Sequence, residues 1–257
     1  MTIAVDGELV PADRMPHRDA DALAPFETMG ATGGLVPLWR DHVARLGDTA
    51  AKLGLTFEAT PALHAAALEV LRVNGDMDGI LKLTLVPSGG RTRTVLSARS
   101  RGTPLSIVKL LPTVVERPAD LRSELKTTPR PFYDAVLQQA QDGGADDGIV
   151  IGDDGAVLET AIGNVWLRIH SVWVTPALDG RVLPGIARAR ILAEAKQQNV
   201  TIVERRCDLG DLHRAEGLAH SNAVYGPRTA VLLEQPTPAV RFADTELRAL
   251  WRLPVSG

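Results

Sequence analysis

The spacing of apolar residues changes repeatedly along this chain between the period of an α-helix and that of a β-strand. From Trp39 to Leu53 apolar residues recur at helical spacing, and Gly54 follows as a terminator. In 80–85 the pattern alternates as in a strand, and the Pro-Ser-Gly-Gly run at 87–90 turns the chain into the next one. The sequence therefore predicts a mixed α/β (α+β) fold.

Local signals place the remaining elements. Thr60 is a typical N-cap, Pro61 suits the first helical position, and the helix that they begin ends at Asn74-Gly75. The same reasoning predicts strands at 92–96, 106–111, 148–151, 156–158, 165–169, 172–175, 200–203 and 229–233, and helices at 131–141, 186–198 and 244–253.

A polar, proline-containing stretch with little periodicity separates the two halves of the chain. We therefore predict a smaller N-terminal α/β domain at 1–112, an interdomain segment at 113–128 and a larger C-terminal domain at 129–257. At 257 residues, two domains of this size can each bury a core.

Charge, apolar content and cysteine usage exclude several classes of protein. A formal net charge of -3 argues against a nucleic-acid binder, whose binding face would be basic. No run approaches the ~20 apolar residues that cross a bilayer. Cys207 is the single cysteine, so neither an intrachain disulfide nor a zinc site of several thiolates can form. We expect a cytoplasmic protein that acts on a small molecule and holds no metal.

Four segments carry a more specific signal, although each of their residues taken singly also suits a solvated surface. Lys126 lies in 124–135 just before a predicted helix, and Glu159 lies in 158–166. A Leu-Pro-Gly-Ile-Ala-Arg run opens the helix after 183, and a His-x-x-Arg-Leu motif lies upstream. In order and spacing these segments resemble the fold-type IV pyridoxal 5′-phosphate (PLP) enzymes. That family comprises the branched-chain and D-amino-acid aminotransferases and the 4-amino-4-deoxychorismate lyases.

The resemblance implies a two-lobe fold like that of the D-amino-acid and branched-chain aminotransferases, with PLP as the cofactor. Lys126 matches the lysine that forms the Schiff base, and Glu159 matches the carboxylate that keeps the pyridine nitrogen protonated. Arg45 matches the arginine that binds the cofactor phosphate, which also needs backbone amides at a helix N-terminus. The cofactor-binding residues implied in this way are Lys126, Arg45, Glu159, Asn164, Gly185, Ile186, Ala187, Ser221, Asn222 and Ala223.

Within the family, the local sequence around these sites resembles that of the lyases. The Lys-Thr-Thr-x-Arg-x-x-Tyr-Asp-Ala run from Lys126 and the Ser-Asn-Ala run from Ser221 are similar to lyase segments. The resemblance then implies that Lys126 removes a proton and that Thr28 helps to protonate the leaving group. The substrate of the lyases has two carboxylates, which need cations. We expect arginines to supply them, with Arg91 and Arg130 preferred over Arg93 and Arg228.

Two alternatives stay open. The chain could be an aminotransferase for branched-chain, D-amino or other amine donors, or a non-catalytic relative that carries the cofactor. The segment 14–26 lacks the Asp-Arg-Gly and Gly-Asp-Gly motifs that many family members have. The substrate can therefore differ from that of the lyases even if the cofactor is PLP. Since the family completes its sites with a neighbouring subunit, the resemblance also implies a homodimer.

Overall fold

The structure is a computed structural model that describes residues 1–233 and 243–254. In chain order its strands are β1 (Thr2–Val5), β2 (Glu8–Pro11), β3 (Ala24–Gly30), β4 (Ile80–Ser88), β5 (Arg91–Arg99), β6 (Ile107–Thr113), β7 (Thr127–Thr128), β8 (Asp147–Ile151), β9 (Ala156–Thr160), β10 (Asn164–Ile169), β11 (Val172–Pro176), β12 (Ile202–Arg205), β13 (Cys207–Asp208), β14 (Gly217–Asn222) and β15 (Gly226–Leu232). Its helices are α1 (Trp39–Lys52), α2 (Pro61–Asn74), α3 (Pro131–Asp142), α4 (Ile186–Gln197), α5 (Leu209–Arg214) and α6 (Ala243–Ala249).

The described residues form two compact units. The first unit comprises Met1–Thr103, Leu125–Pro129 and the described residues 253–254. The second unit comprises Pro104–Glu124 and the described part of Arg130–Arg252. The division into domains at 112 and 129 stays a prediction.

The first unit is an antiparallel sheet with two helices. The strand order is β2-β1-β5-β4-β3-β7, and each neighbouring pair is antiparallel. Helices α1 and α2 pack on this sheet and bury a cluster that includes Met29, Leu46 and Leu83. The predicted caps of α2 are confirmed. Thr60 Oγ1 accepts a hydrogen bond from the Leu63 backbone N–H at 3.1 Å, and Gly75 ends the helix with φ of 73°.

The second unit is a mixed sheet in the order β12-β11-β10-β14-β15-β6-β8-β9-β13. The pairs β11–β12, β15–β6 and β6–β8 are parallel and the others are antiparallel. Val165 and Leu167 of β10 enter one apolar cluster, whereas Trp166 between them enters another with residues of α4 and α6. Both faces of β10 are therefore buried, which is why its sequence is nearly continuously apolar from Val165 to Leu167.

Most predicted elements are present, with shifts at their ends. The tail helix predicted at 244–253 ends at Ala249, and the strand predicted at 200–203 is Ile202–Arg205. The sequence did not predict the short helix α5 or the strands β1, β2, β3, β7, β13 and β14. The buried polar residues of β3 and β14 explain why these two strands were missed. Among the described residues, no helix is both long enough and apolar enough to cross a bilayer.

Candidate active site

Lys126 is held by the edge of the first unit's sheet. The two residues that follow it form β7, which pairs with Ala24 and Pro25 at the start of β3. The Phe26 N–H donates to the Lys126 carbonyl at 3.0 Å, and Lys126 Nζ lies 4.7 Å from the centre of the Phe26 ring. Lys126 is half-buried, and its backbone is fixed by the pairing with β3.

Thr28 lies on the same face of β3 as Phe26, because side chains alternate along a strand. The intervening Glu27 and the following Met29 point to the opposite face, where Met29 joins the core. Lys82 of β4 is paired with Thr28 in the sheet, and its Nζ lies 4.6 Å from the Phe26 ring centre. The Lys126 amine therefore lies against the face of β3 that carries the side chains of Phe26 and Thr28. Lys126 and Thr28 are the two residues that were predicted to move protons.

On the opposite face, Glu27 binds two residues of α1. Its carboxylate accepts from Arg45 Nε at 2.8 Å and from Arg45 Nη2 at 2.6 Å, and it lies 2.7 Å from His42 Nδ1. Glu27 and His42 are each 1% exposed. The sequence identified Arg45 and, in the same motif, His42, but not Glu27. Glu27 fixes the direction of the Arg45 guanidinium, and His42 holds Glu27.

Burial and charge decide the ionisation of this cluster. Burial alone would raise the pKa of Glu27, but the Arg45 guanidinium and the hydrogen bonds from His42 and Arg45 outweigh it and lower the pKa to about 2. Burial lowers the pKa of His42, and the charges of Arg45 and Lys126 act in the same direction against Glu27. His42 is then neutral and donates from Nδ1 to an ionised Glu27.

In the second unit, Glu159 and Asn164 hold the backbone of Leu183 on both sides. The Glu159 carboxylate accepts from the Leu183 N–H at 3.0 Å and from the Tyr133 hydroxyl at 2.7 Å. Asn164 Nδ2 donates to the Leu183 carbonyl at 3.1 Å. Glu159 is 3% exposed and Asn164 is 4% exposed, so both side chains are buried and are fixed by hydrogen bonds.

Gly185 joins this group at the start of α4. A Cβ atom on Gly185 would lie 2.0 Å from Asn164 Oδ1, so the close approach requires glycine. Ile186 and Ala187, where the predicted helix 186–198 begins, are the first residues of α4. Their backbone N–H groups have no acceptor within the helix and lie at its positive end, which is suited to an anion.

The predicted phosphate-side run begins on β14. Ser221 is paired with Asn164 across the sheet and its Oγ accepts from Trp166 Nε1 at 2.8 Å. Asn222 Oδ1 accepts from the N–H groups of two residues in the turn after β14, and Ala223 lies in that turn. The second unit thus brings Glu159, Asn164, Gly185 and Ser221 into one continuous group.

The four candidate arginines differ in their surroundings. Arg91 is exposed at the hairpin between β4 and β5, whereas Arg93 donates a hydrogen bond to the Asp6 carboxylate. Arg130 donates to the Ala161 carbonyl, and its guanidinium lies 5.0 Å from a tyrosine ring. Arg228 is 5% exposed, and burial lowers its pKa. Of these four arginines, Arg91 is the one that is exposed, so it is the best candidate to bind a carboxylate of a small molecule.

The residues present fit PLP within each unit. The first unit supplies a lysine amine and an arginine whose direction is fixed. The second supplies a buried carboxylate, a helix N-terminus next to a glycine without room for a Cβ atom, and the end of β14. These are the groups that the cofactor's aldehyde, phosphate and pyridine nitrogen require.

Comparison with known proteins agrees with this chemistry. The family described as Amino-transferase class IV matches residues 24–230. A protein of Thermotoga maritima named “Probable branched-chain-amino-acid aminotransferase” is 30% identical over 215 residues, which are 73% of this chain and 74% of the relative.

Solved structures share the fold. “A hypothetical aminotransferase from Mycobacterium tuberculosis, PLP-bound form” has a TM-score of 0.83 at 22% identity, covering 97% of each chain. A Legionella pneumophila structure named “Putative 4-amino-4-deoxychorismate lyase” has a TM-score of 0.80 at 20% identity, covering 93% of this chain and 94% of that one. The predicted fold, that of the D-amino-acid and branched-chain aminotransferases, is confirmed.

The family match spans most of the chain, and the cofactor of that family is PLP, as predicted. Its members are enzymes, either aminotransferases or lyases. This chain belongs to the class IV aminotransferase family of PLP-dependent enzymes.

Proposed function

We propose that the protein is a 4-amino-4-deoxychorismate lyase, which releases pyruvate and forms 4-aminobenzoate in folate synthesis. The observation that carries the proposal is the face of β3 described above, where Thr28 lies beside Phe26 and Phe26 lies under the Lys126 amine. An elimination needs one group that removes a proton and another that delivers one to the leaving group. A lysine amine and a hydroxyl on one face supply both.

The proposed cofactor-binding residues are those that the family resemblance implies, and the geometry within each unit supports them. Lys126 would bind the cofactor aldehyde, and Glu159 would accept a hydrogen bond from the pyridine nitrogen. Arg45, the N–H groups that begin α4 and the Ser221–Asn222–Ala223 run would bind the phosphate. When bound, PLP supplies an electron sink for the carbon next to the substrate nitrogen.

The chain's own groups would then move two protons. The neutral Lys126 amine removes the proton from the carbon that bears the substrate nitrogen. The bond between the neighbouring ring carbon and the enolpyruvyl oxygen would break as Thr28 gives its hydroxyl proton to the leaving enolpyruvate, which becomes pyruvate, while the ring that remains becomes aromatic. The proton that Lys126 took up would replace the one that Thr28 gave, so no proton is gained or lost overall. Glu159, whose carboxylate accepts hydrogen bonds from Tyr133 and Leu183, would keep the pyridine nitrogen of bound PLP protonated. Exposed Arg91 is proposed to bind a substrate carboxylate, with Arg130 as the second candidate.

An aminotransferase is the second candidate function. The relative of Thermotoga maritima, which carries a branched-chain aminotransferase name and matches over most of this chain, favours it. The donors would be branched-chain, D-amino or other amines. Such an enzyme needs the same lysine and carboxylate but no proton donor for a leaving enolpyruvate.

We also propose that the enzyme is a cytoplasmic homodimer. The proposal rests on the family resemblance, since the family completes its sites with a neighbouring subunit. Sedimentation velocity of the PLP-loaded protein tests the assembly, and a monomer that is fully active would contradict it. Fractionation of cells tests the location.

The deciding experiment measures pyruvate release from 4-amino-4-deoxychorismate by the PLP-loaded protein without a keto-acid acceptor. We expect catalytic release, its loss in Lys126→Ala together with the absorbance band of lysine-bound cofactor, and no change in Lys52→Ala. Lys52 is an exposed lysine at the end of α1 and serves as the matched control.

The other outcomes are equally informative. If protein with the absorbance band releases no pyruvate, but amino donors convert the cofactor to its pyridoxamine form, the lyase proposal is wrong and the aminotransferase is supported. Binding of PLP with neither activity indicates a non-catalytic relative. A band that survives in Lys126→Ala contradicts the assignment of the lysine.

A further inference from the structure

Three residues outside the predicted site form a hydrogen-bonded chain that ends on Glu159. The Tyr133 hydroxyl lies 2.7 Å from Glu159 Oε1 and 2.7 Å from Ser123 Oγ. Arg117 Nη2 donates to Ser123 Oγ at 2.8 Å. Ser123 is 1% exposed, so water does not compete at the centre of this chain.

The direction of each hydrogen bond follows from the number of protons available. An ionised carboxylate only accepts, so the single Tyr133 proton is donated to Glu159. Tyr133 therefore accepts from the Ser123 hydroxyl, which in turn accepts from the Arg117 guanidinium. Burial raises the pKa of Tyr133, and the charge of Glu159 raises it further, so the hydroxyl keeps its proton. Every donor in the chain thus points toward Glu159.

The two oxygens of Glu159 are held by different groups. Oε1 is held by Tyr133 and Oε2 by the Leu183 N–H. Donors on a carboxylate stabilise its charged form, and a cation at the far end of a polarised chain strengthens the effect. A carboxylate held in this way leaves a shared proton on its partner instead of taking it.

We propose that Tyr133, supported by Ser123 and Arg117, is a positioning residue that orients Glu159 and keeps the proton on the pyridine nitrogen of PLP. The inference rests on the proposed role of Glu159 as the partner of that nitrogen. It adds a function for the Arg117–Ser123 segment, which contains none of the residues that the family motifs identify.

The structure provides a narrow test, because the ring of Tyr133 has contacts of its own. It meets the Phe132 ring edge-on at 5.2 Å between centroids, and the Arg130 guanidinium lies 5.0 Å from its centre. Tyr133→Phe keeps these contacts and removes only the hydroxyl. The matched control is Tyr225→Phe, which removes the hydroxyl of the other tyrosine in the chain.

The experiment records the ¹⁵N NMR resonance of PLP labelled at the ring nitrogen and bound to each variant. We expect the wild type to show a protonated nitrogen and Glu159→Gln to shift the resonance strongly toward the unprotonated value. Tyr133→Phe should shift it in the same direction by a smaller amount, Ser123→Ala by less again, and Tyr225→Phe should leave it in place. The affinity of Tyr133→Phe for PLP should fall by about two- to tenfold, as for one lost hydrogen bond.

The variants separate the two ways in which the reasoning can fail. If Glu159→Gln leaves the resonance unchanged, the assignment of Glu159 is wrong. If Glu159→Gln shifts it but Tyr133→Phe and Ser123→Ala do not, Glu159 is the partner and the inference about Tyr133 is overturned. A thermal melt of each cofactor-free variant verifies that the fold is intact, and Ser123→Ala provides the test if Tyr133→Phe does not fold.

Discussion

Replacing Glu27 by Gln should destabilise the first unit by several kcal/mol, because Glu27 is a buried anion that binds both His42 and Arg45. Its pKa falls from 4.5 to about 2 in the folded chain. At ~1.4 kcal/mol per pKa unit, the charged form contributes about 3 kcal/mol above pH ~4.5. Removing one partner of a buried pair costs ~3–5 kcal/mol by independent reasoning, so the two magnitudes agree.

The sign of the pH dependence gives a second readout. The folded pKa of Glu27 is depressed, so its contribution is complete above 4.5 and is lost as the pH falls toward about 2. The pKa of His42 in the folded chain is also below its ordinary 6.5. As the pH falls below 6.5, the unfolded chain therefore binds this proton before the folded chain does, and the stability of the folded chain declines. The Glu27→Gln variant has no carboxyl group to protonate at this position. The part of the decrease in the free energy of unfolding below pH 4.5 that comes from Glu27 should therefore be absent.

The assay is urea unfolding across pH, with hydrogen exchange of the β3 and β4 amides to locate the change in the first unit. The matched control is Glu69→Gln. Glu69 binds Arg72 with the same two-bond geometry, at 2.7 and 2.6 Å, but both side chains are exposed. Its loss should be small by comparison. Equal losses for the two variants, or an unchanged acid limb in Glu27→Gln, would refute the reasoning.

Two further predictions concern the second unit. Gly185→Ala should weaken PLP binding at least tenfold (about 1.4 kcal/mol), because its Cβ would come within 2.0 Å of Asn164 Oδ1. Gly102→Ala, where no atom lies within 4 Å, should bind PLP as the wild type does in the same fluorescence titration. Burial raises the pKa of Cys207 to about 11, so iodoacetamide should modify this thiol at neutral pH only as urea unfolds the chain. Rapid labelling of the native protein, followed by mass spectrometry, would contradict this.

The sequence predicted elements whose pattern is local. The cap at Thr60 and the turn at Gly75 are set by residues adjacent in the chain, and both were confirmed. Strand β14 gave no such signal, because His220 and Ser221 are polar and yet 0% exposed. Their burial depends on partners elsewhere in the chain, such as Arg228, which lies 3.2 Å from His220. Spacing alone does not reveal a polar strand of this kind.

The same limit applies to the candidate site. Lys126 and Glu159 were identified because the order and spacing of their segments resemble those of the family. The roles of Glu27 and Tyr133 were not identified, although Tyr133 lies in the same run as Lys126, since those roles come from hydrogen bonds to residues on other elements. Glu27 even interrupts the apolar pattern of β3, which is why that strand was missed.

The path of the chain between the units limits how such a protein can be recombined. The chain leaves the first unit after 103, returns for Leu125–Pro129, and leaves again. A single crossover between two related genes, placed anywhere from the end of β3 to β7, would give the lysine from one parent and its partner strand from the other. A crossover outside the segment 24–128 keeps Lys126 and the strand that pairs with it from the same parent.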